Sequence, residues 1–304
     1  MIQVKLCYNS ELDITDPTKS TGMPLNSFCI QGMNVEAYQR QKLQEAGFIC
    51  VFTEKDNIDL QPSDIVEISM HYFSIQALHE ICQSGGTIDA IYHPDGHWIV
   101  RRHLRNEKET VTKDYKDLER FVYPWDILDW MERKLSKTGT DTIEKQTSGA
   151  YVRGNLTVGE GTEILPGVVI DGNVHIGKNC RIGPNCYLRG TISIGDDCVV
   201  GLGVEIKNAL IGNQTYVSHL SYIGDSIIGD DVNVGGGTIF SNFRHDGGEH
   251  KMLLGEKLIS SGRTKLGALV GNHVRFGANT VILPGRIVPE STWTMPGEIY
   301  GKKV

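Results

Sequence analysis

Aliphatic residues recur at every sixth position through the middle of this chain, and this period constrains the fold more than any other feature. The series is Val158, Ile164, Ile170, Ile176, Ile182, Leu188, Ile194, Val200 and Ile206. A period of six fits neither an amphipathic helix nor an ordinary half-buried strand. It is typical of a hexapeptide solenoid, in which three hexads form one triangular coil and the aliphatic residues point inward. The sequence therefore predicts a parallel β-helix.

Glycine usage divides the chain into two parts. Of the 35 glycines, 8 precede residue 150 and 27 follow it. Glycine tolerates the backbone required near the corners of a coil, so the solenoid is predicted to occupy residues 150–304. Residues 1–115 show alternating strand and helix patterns, which are typical of an α/β domain with a partly parallel sheet. Residues 116–149 are predicted to be a helical linker.

Local signals predict several elements before the repeats. An amphipathic helix is predicted within residues 34–48, and Ser74 is the predicted N-cap of a second helix. Two strands are predicted to form a hairpin across the turn at 94–96. Helices are also predicted over residues 116–121 and 124–135, and the second of these carries a large apolar face.

Composition argues against several classes of protein. The chain has 304 residues and a net charge of −7, which disfavours general nucleic-acid binding. No apolar run is long enough to span a membrane, and residues 1–13 do not resemble a signal peptide. The seven cysteines include no CxxC pair, so we predict no metal site and expect a reduced, cytoplasmic setting. Cys180, Cys186 and Cys198 each follow an aliphatic hexad position by four residues and are predicted to pack inside the coil.

A histidine and two cations are candidate functional residues within the repeats. His219 could remove a proton from an amine near neutral pH, although a surface or corner histidine is the simpler interpretation from sequence alone. Arg189 and Lys207 are one full coil apart, so they are predicted to stack in adjacent coils, where two cations can clamp a phosphate. The alternative is a pair of solvated surface charges. Glu205 is predicted to share the strand face of Lys207 and could contact a sugar hydroxyl or amine.

Longer motifs resemble a known family. YPWDILDWMERKL precedes the repeats, which contain IGPNCYLRG, SHLSYIGDSIIGDDVNVGGGTI, SNFRHDG and TKLGALVGNHVRFGANTVILPG. These motifs resemble the bifunctional sugar-1-phosphate nucleotidyltransferases that carry a C-terminal glucosamine-1-phosphate N-acetyltransferase. The resemblance is good over residues 120–300 and weak over residues 1–115. It implies a left-handed parallel β-helix, acetyl-CoA as the donor, and a homotrimer that binds ligands between neighbouring subunits.

The resemblance also implies roles on the donor side of the reaction. His219 falls on the family's catalytic base. The backbone N–H of Gly236 falls on the group that faces the acetyl carbonyl and stabilises the oxyanion. Ala278 and the region of Pro296 fall on positions that line the acetyl-CoA site.

The implied acceptor contacts form a larger set. Residues matching Arg189 and Lys207 bind the sugar phosphate in the family, and Phe243 departs from its pattern because some members have a tyrosine there. Residues 242–265 break the six-residue rhythm and are predicted to project from the solenoid as a loop. With Glu205 from the strand-face argument, the further predicted acceptor contacts are Tyr222, Asn233, Asn242 and Lys265.

The first part of the chain lacks the features needed for nucleotidyl transfer. The family has a glycine-rich GxGTR loop where this chain reads YNSELDITDPTKSTGMPLNSF, with Met23 in place of a lysine. The family's metal-binding Gly-Asp corresponds here to Met70-His71. Without phosphate-cradling amides or a magnesium carboxylate, phosphoryl transfer loses its main electrostatic support. We therefore predict a shortened, Rossmann-like nucleotidyltransferase remnant that lacks this activity.

The leading hypothesis is acetyl transfer from acetyl-CoA to the amine of an amino-sugar 1-phosphate. Glucosamine-1-phosphate is the expected acceptor, in the biosynthesis of UDP-N-acetylglucosamine. An alternative is a non-catalytic homotrimer that binds a sugar nucleotide or regulates another protein. Sugar-1-phosphate nucleotidyl transfer is a less favoured third hypothesis because the glycine-rich loop is missing.

Overall fold

The chain divides into two units. The computed structural model describes residues 3–7, 29–30, 33–51, 65–69, 72–84, 86–102, 109–136, 149–254 and 257–301. The first unit comprises Met1–Thr15 and Asn34–Val122, and the second comprises Asp16–Met33 and Tyr123–Val304. Residues 8–28, Met70 and His71, on which the predicted loss of the nucleotide loop and metal carboxylate depends, lie outside the described residues.

The first unit is built on a mixed β-sheet. The strands up to residue 120 are β1 (Gln3–Cys7), β2 (Cys29–Ile30), β3 (Met33–Asn34), β4 (Ile49–Val51), β5 (Ile65–Ser69), β6 (Tyr72–Phe73), β7 (Ala90–Tyr92), β8 (Trp98–Arg102), β9 (Thr110–Thr112) and β10 (Glu119–Arg120). Among the described residues, the main sheet has the order β4-β1-β5-β8-β7-β9. β1 pairs in parallel with β4 and β5, whereas β7 and β8 form the predicted antiparallel hairpin.

Two helices of the first unit begin at side-chain caps. The helices are α1 (Val35–Glu45) and α2 (Ile75–Gln83). The hydroxyl of Ser74 accepts a hydrogen bond from the N–H of Ala77 at 3.1 Å, which confirms Ser74 as the N-cap of α2. Asp117 binds the same helix end, since its carboxylate accepts from the Ser74 hydroxyl and the N–H of Gln76. The helix predicted over residues 116–121 is wrong, because the chain leaving Asp117 is extended and β10 pairs with β6.

The second unit contains a parallel β-helix, which confirms the predicted architecture of an α/β domain followed by a hexapeptide solenoid. Its strands lie directly above one another in successive coils: Tyr187 pairs with Glu205, and Glu205 pairs with Tyr222. The strands are β11 (Tyr151–Arg153), β12 (Leu156–Val158), β13 (Glu163–Ile164), β14 (Val169–Ile176), β15 (Arg181–Ile182), β16 (Tyr187–Ile194), β17 (Val199–Leu202), β18 (Glu205–Ile211), β19 (Tyr216–His219), β20 (Tyr222–Gly224), β21 (Ile227–Ile228), β22 (Asn233–Val234), β23 (Ile239–Phe240), β24 (Lys251–Leu254), β25 (Lys257–Ser260), β26 (Ala268–Val270), β27 (Arg275–Phe276), β28 (Val281–Ile282), β29 (Arg286–Val288) and β30 (Ile299–Tyr300).

The hexad residues form the interior of the coils. Ile170, Leu188 and Ile206 are fully buried and stack in register through three successive coils. Cys180, Cys186 and Cys198 also lie in this core as free thiols. Burial raises the pKa of Cys186 to about 12, so its thiol stays protonated and serves packing.

One helix and one hairpin are added to the solenoid. The helix α3 (Pro124–Ser136) packs against β14, β16 and β18, and it buries both Trp125 and Trp130. Burying side chains of this size stabilises a fold by about 1.5–3 kcal/mol each. The predicted insertion between Asn242 and Lys265 contains the antiparallel hairpin β24–β25. In the described parts of the chain, no helix is long and apolar enough to cross a membrane.

Candidate functional site

The predicted donor-side residues lie along one corner of the solenoid. His219, Gly236, Ala278 and Pro296 occupy equivalent positions in four successive coils. Backbone hydrogen bonds of 3.2, 2.9 and 2.8 Å define this register, and they run from Gly237 N to His219 O, from Asn279 N to Gly236 O, and from Gly297 N to Ala278 O. Adjacent coils are ~4.8 Å apart, so the row extends over roughly 14 Å. We call these four residues the donor corner.

His219 and Gly236 are direct neighbours within the donor corner. A Cβ atom added to Gly236 would lie 3.3 Å from the Cβ of His219. His219 is exposed, and its imidazole makes no hydrogen bond to another described residue. An accessible imidazole beside a backbone N–H is an arrangement that can serve as a general base next to an oxyanion donor.

The two predicted phosphate-binding cations stack in adjacent coils. Arg189 of β16 pairs directly with Lys207 of β18, as their spacing predicted. Both side chains lie on the outer surface, because the alternate residues of these strands point into the core. This surface, formed by β16, β18 and β20, is called the acceptor face below.

Each of these cations has a carboxylate partner, and the two pairs differ in exposure. The Nε of Arg189 donates to Glu205 at 2.7 Å, and about a third of each side chain is exposed. This hydrogen bond raises the pKa of Arg189, which keeps the guanidinium charged. The Nζ of Lys207 donates to both oxygens of Asp225, at 2.8 and 3.1 Å. Asp225 is only 1% exposed, so the second pair is largely shielded from water.

Asp225 is a site residue that the sequence reasoning missed. Its carboxylate also accepts from the side-chain amides of Asn242, at 2.5 Å, and Asn208, at 3.3 Å. The residue adopts a left-handed backbone conformation with φ of 46°, which aspartate tolerates better than most residues. The repeat spacing does not identify it, because this coil is one residue short and the register partner of Lys207 is Gly224, which precedes Asp225.

Asn242 and Tyr222 complete a connected polar group on the acceptor face. The Nδ2 of Asn242 also contacts the Tyr222 hydroxyl at 3.0 Å, and Asn242 is buried. Burial, and secondarily the nearby Asp225 carboxylate, raises the pKa of Tyr222. The phenol therefore stays neutral and keeps its hydroxyl proton for a hydrogen bond.

Lys265 lies beside the residue that departs from the family pattern. Phe243 and Lys265 form an isolated antiparallel bridge, and the ammonium of Lys265 is 3.5 Å from the centroid of the Phe243 ring. The aromatic ring can hold a lysine through a cation–π contact without any hydroxyl. Phe243 thus has a physical role that the comparison with tyrosine did not suggest.

Asn233 is not brought together with the acceptor face. It lies on β22, in the sheet formed by β13, β15, β17, β19, β22 and β27, whereas Arg189, Lys207 and Tyr222 lie in the other solenoid sheet. Asn233 is exposed and pairs with Tyr216 and Arg275 in neighbouring coils. Within one chain, Asn233 lies shortly before Gly236 of the donor corner, in the same coil.

Arg263 connects the insertion to helix α3 and was also missed. Its guanidinium binds Asp129 and Glu132 of α3, and one nitrogen lies 4.0 Å from Asp225. The side chain is mostly buried, at 16% exposure. Ion pairs of Arg263 therefore connect the insertion to α3, and the same side chain lies near Asp225 of the acceptor face. No group of three or more metal-binding side chains was found in the described ranges.

Known proteins match the repeat region. A family profile described as the GMPPB C-terminal domain matches residues 182–294. The bifunctional sugar-1-phosphate nucleotidylyltransferase/acetyltransferase of Sulfurisphaera tokodaii is 38% identical over 182 residues, covering 60% of this chain and 45% of that protein. The bifunctional protein GlmU of Methanococcus aeolicus is 39% identical over 170 residues, covering 56% of this chain and 41% of that protein. The matched part thus spans less than half the length of either relative.

Similarity to solved structures is weaker. A mutant of perosamine N-acetyltransferase from Caulobacter crescentus, in complex with CoA and GDP-perosamine, aligns with 97% of this chain and 93% of that chain. The identity is 11% and the TM-score is 0.28, so the fold assignment depends on the geometry of the coils themselves. The sequence matches therefore show that more than half of this chain is similar to part of the bifunctional sugar-1-phosphate nucleotidylyltransferase/acetyltransferases.

Proposed function

We propose that this protein is an acetyl-CoA-dependent N-acetyltransferase that acts on an amino-sugar 1-phosphate, most simply glucosamine-1-phosphate. The observation that carries the proposal is the donor corner, where His219 lies directly beside Gly236. The acceptor face, which lies on the side of the coil next to the donor corner, adds a pair of stacked cations, Arg189 and Lys207. The Sulfurisphaera tokodaii relative, which is named as a sugar-1-phosphate nucleotidylyltransferase/acetyltransferase, supports the same assignment.

The two cations would bind the acceptor's phosphate in different ways. The Arg189–Glu205 pair is partly exposed to solvent, so the phosphate of a bound acceptor can replace Glu205 as the partner of the guanidinium. Glu205 would then be free to accept a hydrogen bond from the sugar's hydroxyl or ammonium group. Lys207 is held by the buried Asp225, and its ammonium has three N–H donors to share between Asp225 and a phosphate. Arg189 can thus exchange its carboxylate partner for the phosphate, whereas Lys207 is already held in position by Asp225.

Acetyl transfer would then proceed without a covalent acyl-enzyme. His219 removes a proton from the acceptor's ammonium group, and the neutral amine attacks the carbonyl carbon of the thioester. The backbone N–H of Gly236 stabilises the oxyanion, and the C–S bond breaks. The departing CoA thiolate takes up a proton, and a second proton is released, which leaves an amide and free CoA.

Asn233 supports the proposal of a homotrimer. It lies on a different sheet from Arg189, Lys207 and Tyr222, so a site that uses all four is most simply made from two chains. Asn233 of one chain would then complete the acceptor face of its neighbour. A monomeric variant should lose acetyl transfer, and this can be checked by measuring activity across size-exclusion fractions.

We propose that the N-terminal domain predicted over residues 1–115 has no nucleotidyltransferase activity. The support is the sequence, which lacks the glycine-rich loop and the metal carboxylate. We also propose a reduced, cytoplasmic setting, on the basis of the seven cysteines without a CxxC pair.

A thiol-release assay tests the main proposal. Acetyl-CoA and glucosamine-1-phosphate are mixed with the protein, and free CoA is followed with a thiol reagent. We expect acceptor-dependent release that is lost in His219→Asn. If several amino-sugar phosphates give no release while the protein binds a UDP-sugar, the non-catalytic binding protein becomes the better description.

A further inference from the structure

Trp293 differs from the other tryptophans of the chain in its exposure. The sequence contains four tryptophans, and Trp98, Trp125 and Trp130 are 6%, 2% and 1% exposed. Trp293 is 78% exposed, and the neighbouring Met295 is 73% exposed. Large apolar side chains that extend into water together are uncommon away from binding surfaces.

The position of Trp293 relates it to the donor corner. Trp293 pairs with Arg275, which pairs with Asn233, which pairs with Tyr216. This row of outward-facing residues runs parallel to the donor corner and precedes it by three residues in each coil. Trp293 therefore belongs to the same coil as Pro296, at the end of the row that begins beside His219.

The positions between these two rows carry little side-chain bulk. They are Ser218, Gly235 and Gly277 in three successive coils, and Met295 in the fourth. A Cβ atom on Gly235 or Gly277 would approach backbone of the next coil to within 2.6 and 2.5 Å, so coil stacking itself requires glycine there. These positions form a strip with few protruding side chains beside the donor corner, and Trp293 and Met295 lie at its far end.

We propose that Trp293 is the stacking surface for the adenine of acetyl-CoA, an inference that rests on the proposed acetyltransferase function. With the thioester at His219 and Gly236, the pantetheine arm would extend along this strip for roughly 14 Å, or three coil spacings. That extension leads the adenosine end of the coenzyme to Trp293. An exposed indole stacks well on a nucleobase, and Met295 adds a polarisable contact at the ring edge.

Tryptophan fluorescence gives a direct test of binding that does not require turnover. Because the other three tryptophans are buried, changes caused by a bound base should come from Trp293. We expect CoA and adenosine 3′,5′-bisphosphate to quench and shift the emission of the wild-type protein, whereas S-acetylpantetheine, which lacks the adenosine, leaves it unchanged. The response should be absent in Trp293→Ala.

Steady-state kinetics provide the second test. Trp293→Ala should raise the KM for acetyl-CoA about 10-fold, as expected for loss of one base–aromatic stack, and leave kcat and the acceptor KM unchanged. Trp293→Phe should recover most of the loss, and the variant should match wild type when S-acetylpantetheine is the donor. Leu253→Ala, which removes another exposed apolar side chain on the hairpin, is the matched control with no expected effect.

Three outcomes would overturn the proposal, two observed with the Trp293→Ala variant and one with the wild-type protein. An equal loss with both donors would assign Trp293 to general structure, and dissociation of the assembly in light scattering of Trp293→Ala would assign it to a subunit contact. Failure of the proposed function is distinguishable from either, because a wild-type protein that releases no CoA can still be tested for quenching by adenosine 3′,5′-bisphosphate. Absence of quenching by this probe at saturating concentration would reject the stacking surface.

Discussion

The acceptor face and the donor corner are built from different chemistry on the same repeat. The acceptor face uses charged side chains, and its central carboxylate, Asp225, is almost fully buried beneath Lys207. The donor corner consists of small or exposed residues, and the group proposed to stabilise the oxyanion at Gly236 is a backbone N–H. Substitution of Lys207, the acceptor-face cation that pairs with this buried carboxylate, should therefore change binding and stability together, whereas substitutions at the donor corner should change the rate of chemistry with little cost to the fold.

The largest expected effect separates the proposed base from an ordinary corner histidine. His219→Asn should lower kcat by about 10²–10⁴-fold because it removes a general base, while both KM values stay close to wild type. His273→Asn is the matched control, since His273 is also an exposed corner residue but is paired with Asp231 in another row. Steady-state assays with both substrates varied would measure this, and equal activity of the two variants would remove His219 from the mechanism.

The next effect tests the link between binding and stability at the acceptor face. Lys207→Met should raise the acceptor KM by about 10–100-fold through loss of a charged hydrogen bond to phosphate, with the acetyl-CoA KM unchanged. It should also lower the free energy of unfolding by about 3–5 kcal/mol, because Asp225 is left buried without its ammonium partner. Urea denaturation and kinetics on the same samples would measure both quantities.

A double variant shows whether these two losses have separate causes. Adding Asp225→Asn to Lys207→Met removes the buried charge, so stability should recover in large part. Acceptor binding should not recover, since the cation is still missing. Recovery of both would mean that Lys207 acts only through the fold.

The comparison also explains what could be predicted from the sequence. The six-residue period, with the coil length, was enough to place Arg189 beside Lys207, because a regular solenoid converts sequence spacing into spatial register. The roles of His219 and Gly236 came from the family resemblance, since their coil is one residue shorter than the regular repeat. Asp225 was missed because its importance comes from burial, and Arg263 was missed because its partners lie far along the chain. Arg263 contacts Asp129 and Glu132, which precede it by more than 130 residues. No local pattern records such a contact.

Short elements outside the repeats were predicted less well. The helix expected over residues 116–121 failed because Asp117 binds the N-terminus of α2, and this tertiary contact outweighs the local pattern. The N-cap at Ser74 was predicted correctly, since the hydroxyl contacts an N–H only three residues away. The sequence therefore predicted an element correctly where the hydrogen bond that determines it is formed within a few residues.

The exposed cation pair should give a smaller effect than the buried one. Arg189→Met should raise the acceptor KM about 10-fold, because a hydrogen bond between charged groups contributes about 1.5–3 kcal/mol and Lys207 remains. The free energy of unfolding should change by less than about 1 kcal/mol, since the Arg189–Glu205 pair is partly solvated and such pairs contribute little. A stability loss as large as that of Lys207→Met would contradict the distinction drawn between the two pairs.

The smallest effect probes the packing of the donor corner. Gly236→Ala places a Cβ atom 3.3 Å from the Cβ of His219, so the histidine must move by a few tenths of an ångström. Since a 1 Å displacement at an active site can cost about 10²-fold, we expect kcat to fall about 3-fold, with the acceptor KM and the melting temperature unchanged. Gly248→Ala, where the added Cβ meets its nearest neighbour at 3.4 Å, serves as the control and should retain full activity. A Gly236→Ala variant that instead raises the acceptor KM would show that the donor corner and the acceptor face are not separable, because the histidine's position would then govern sugar binding as well as proton transfer.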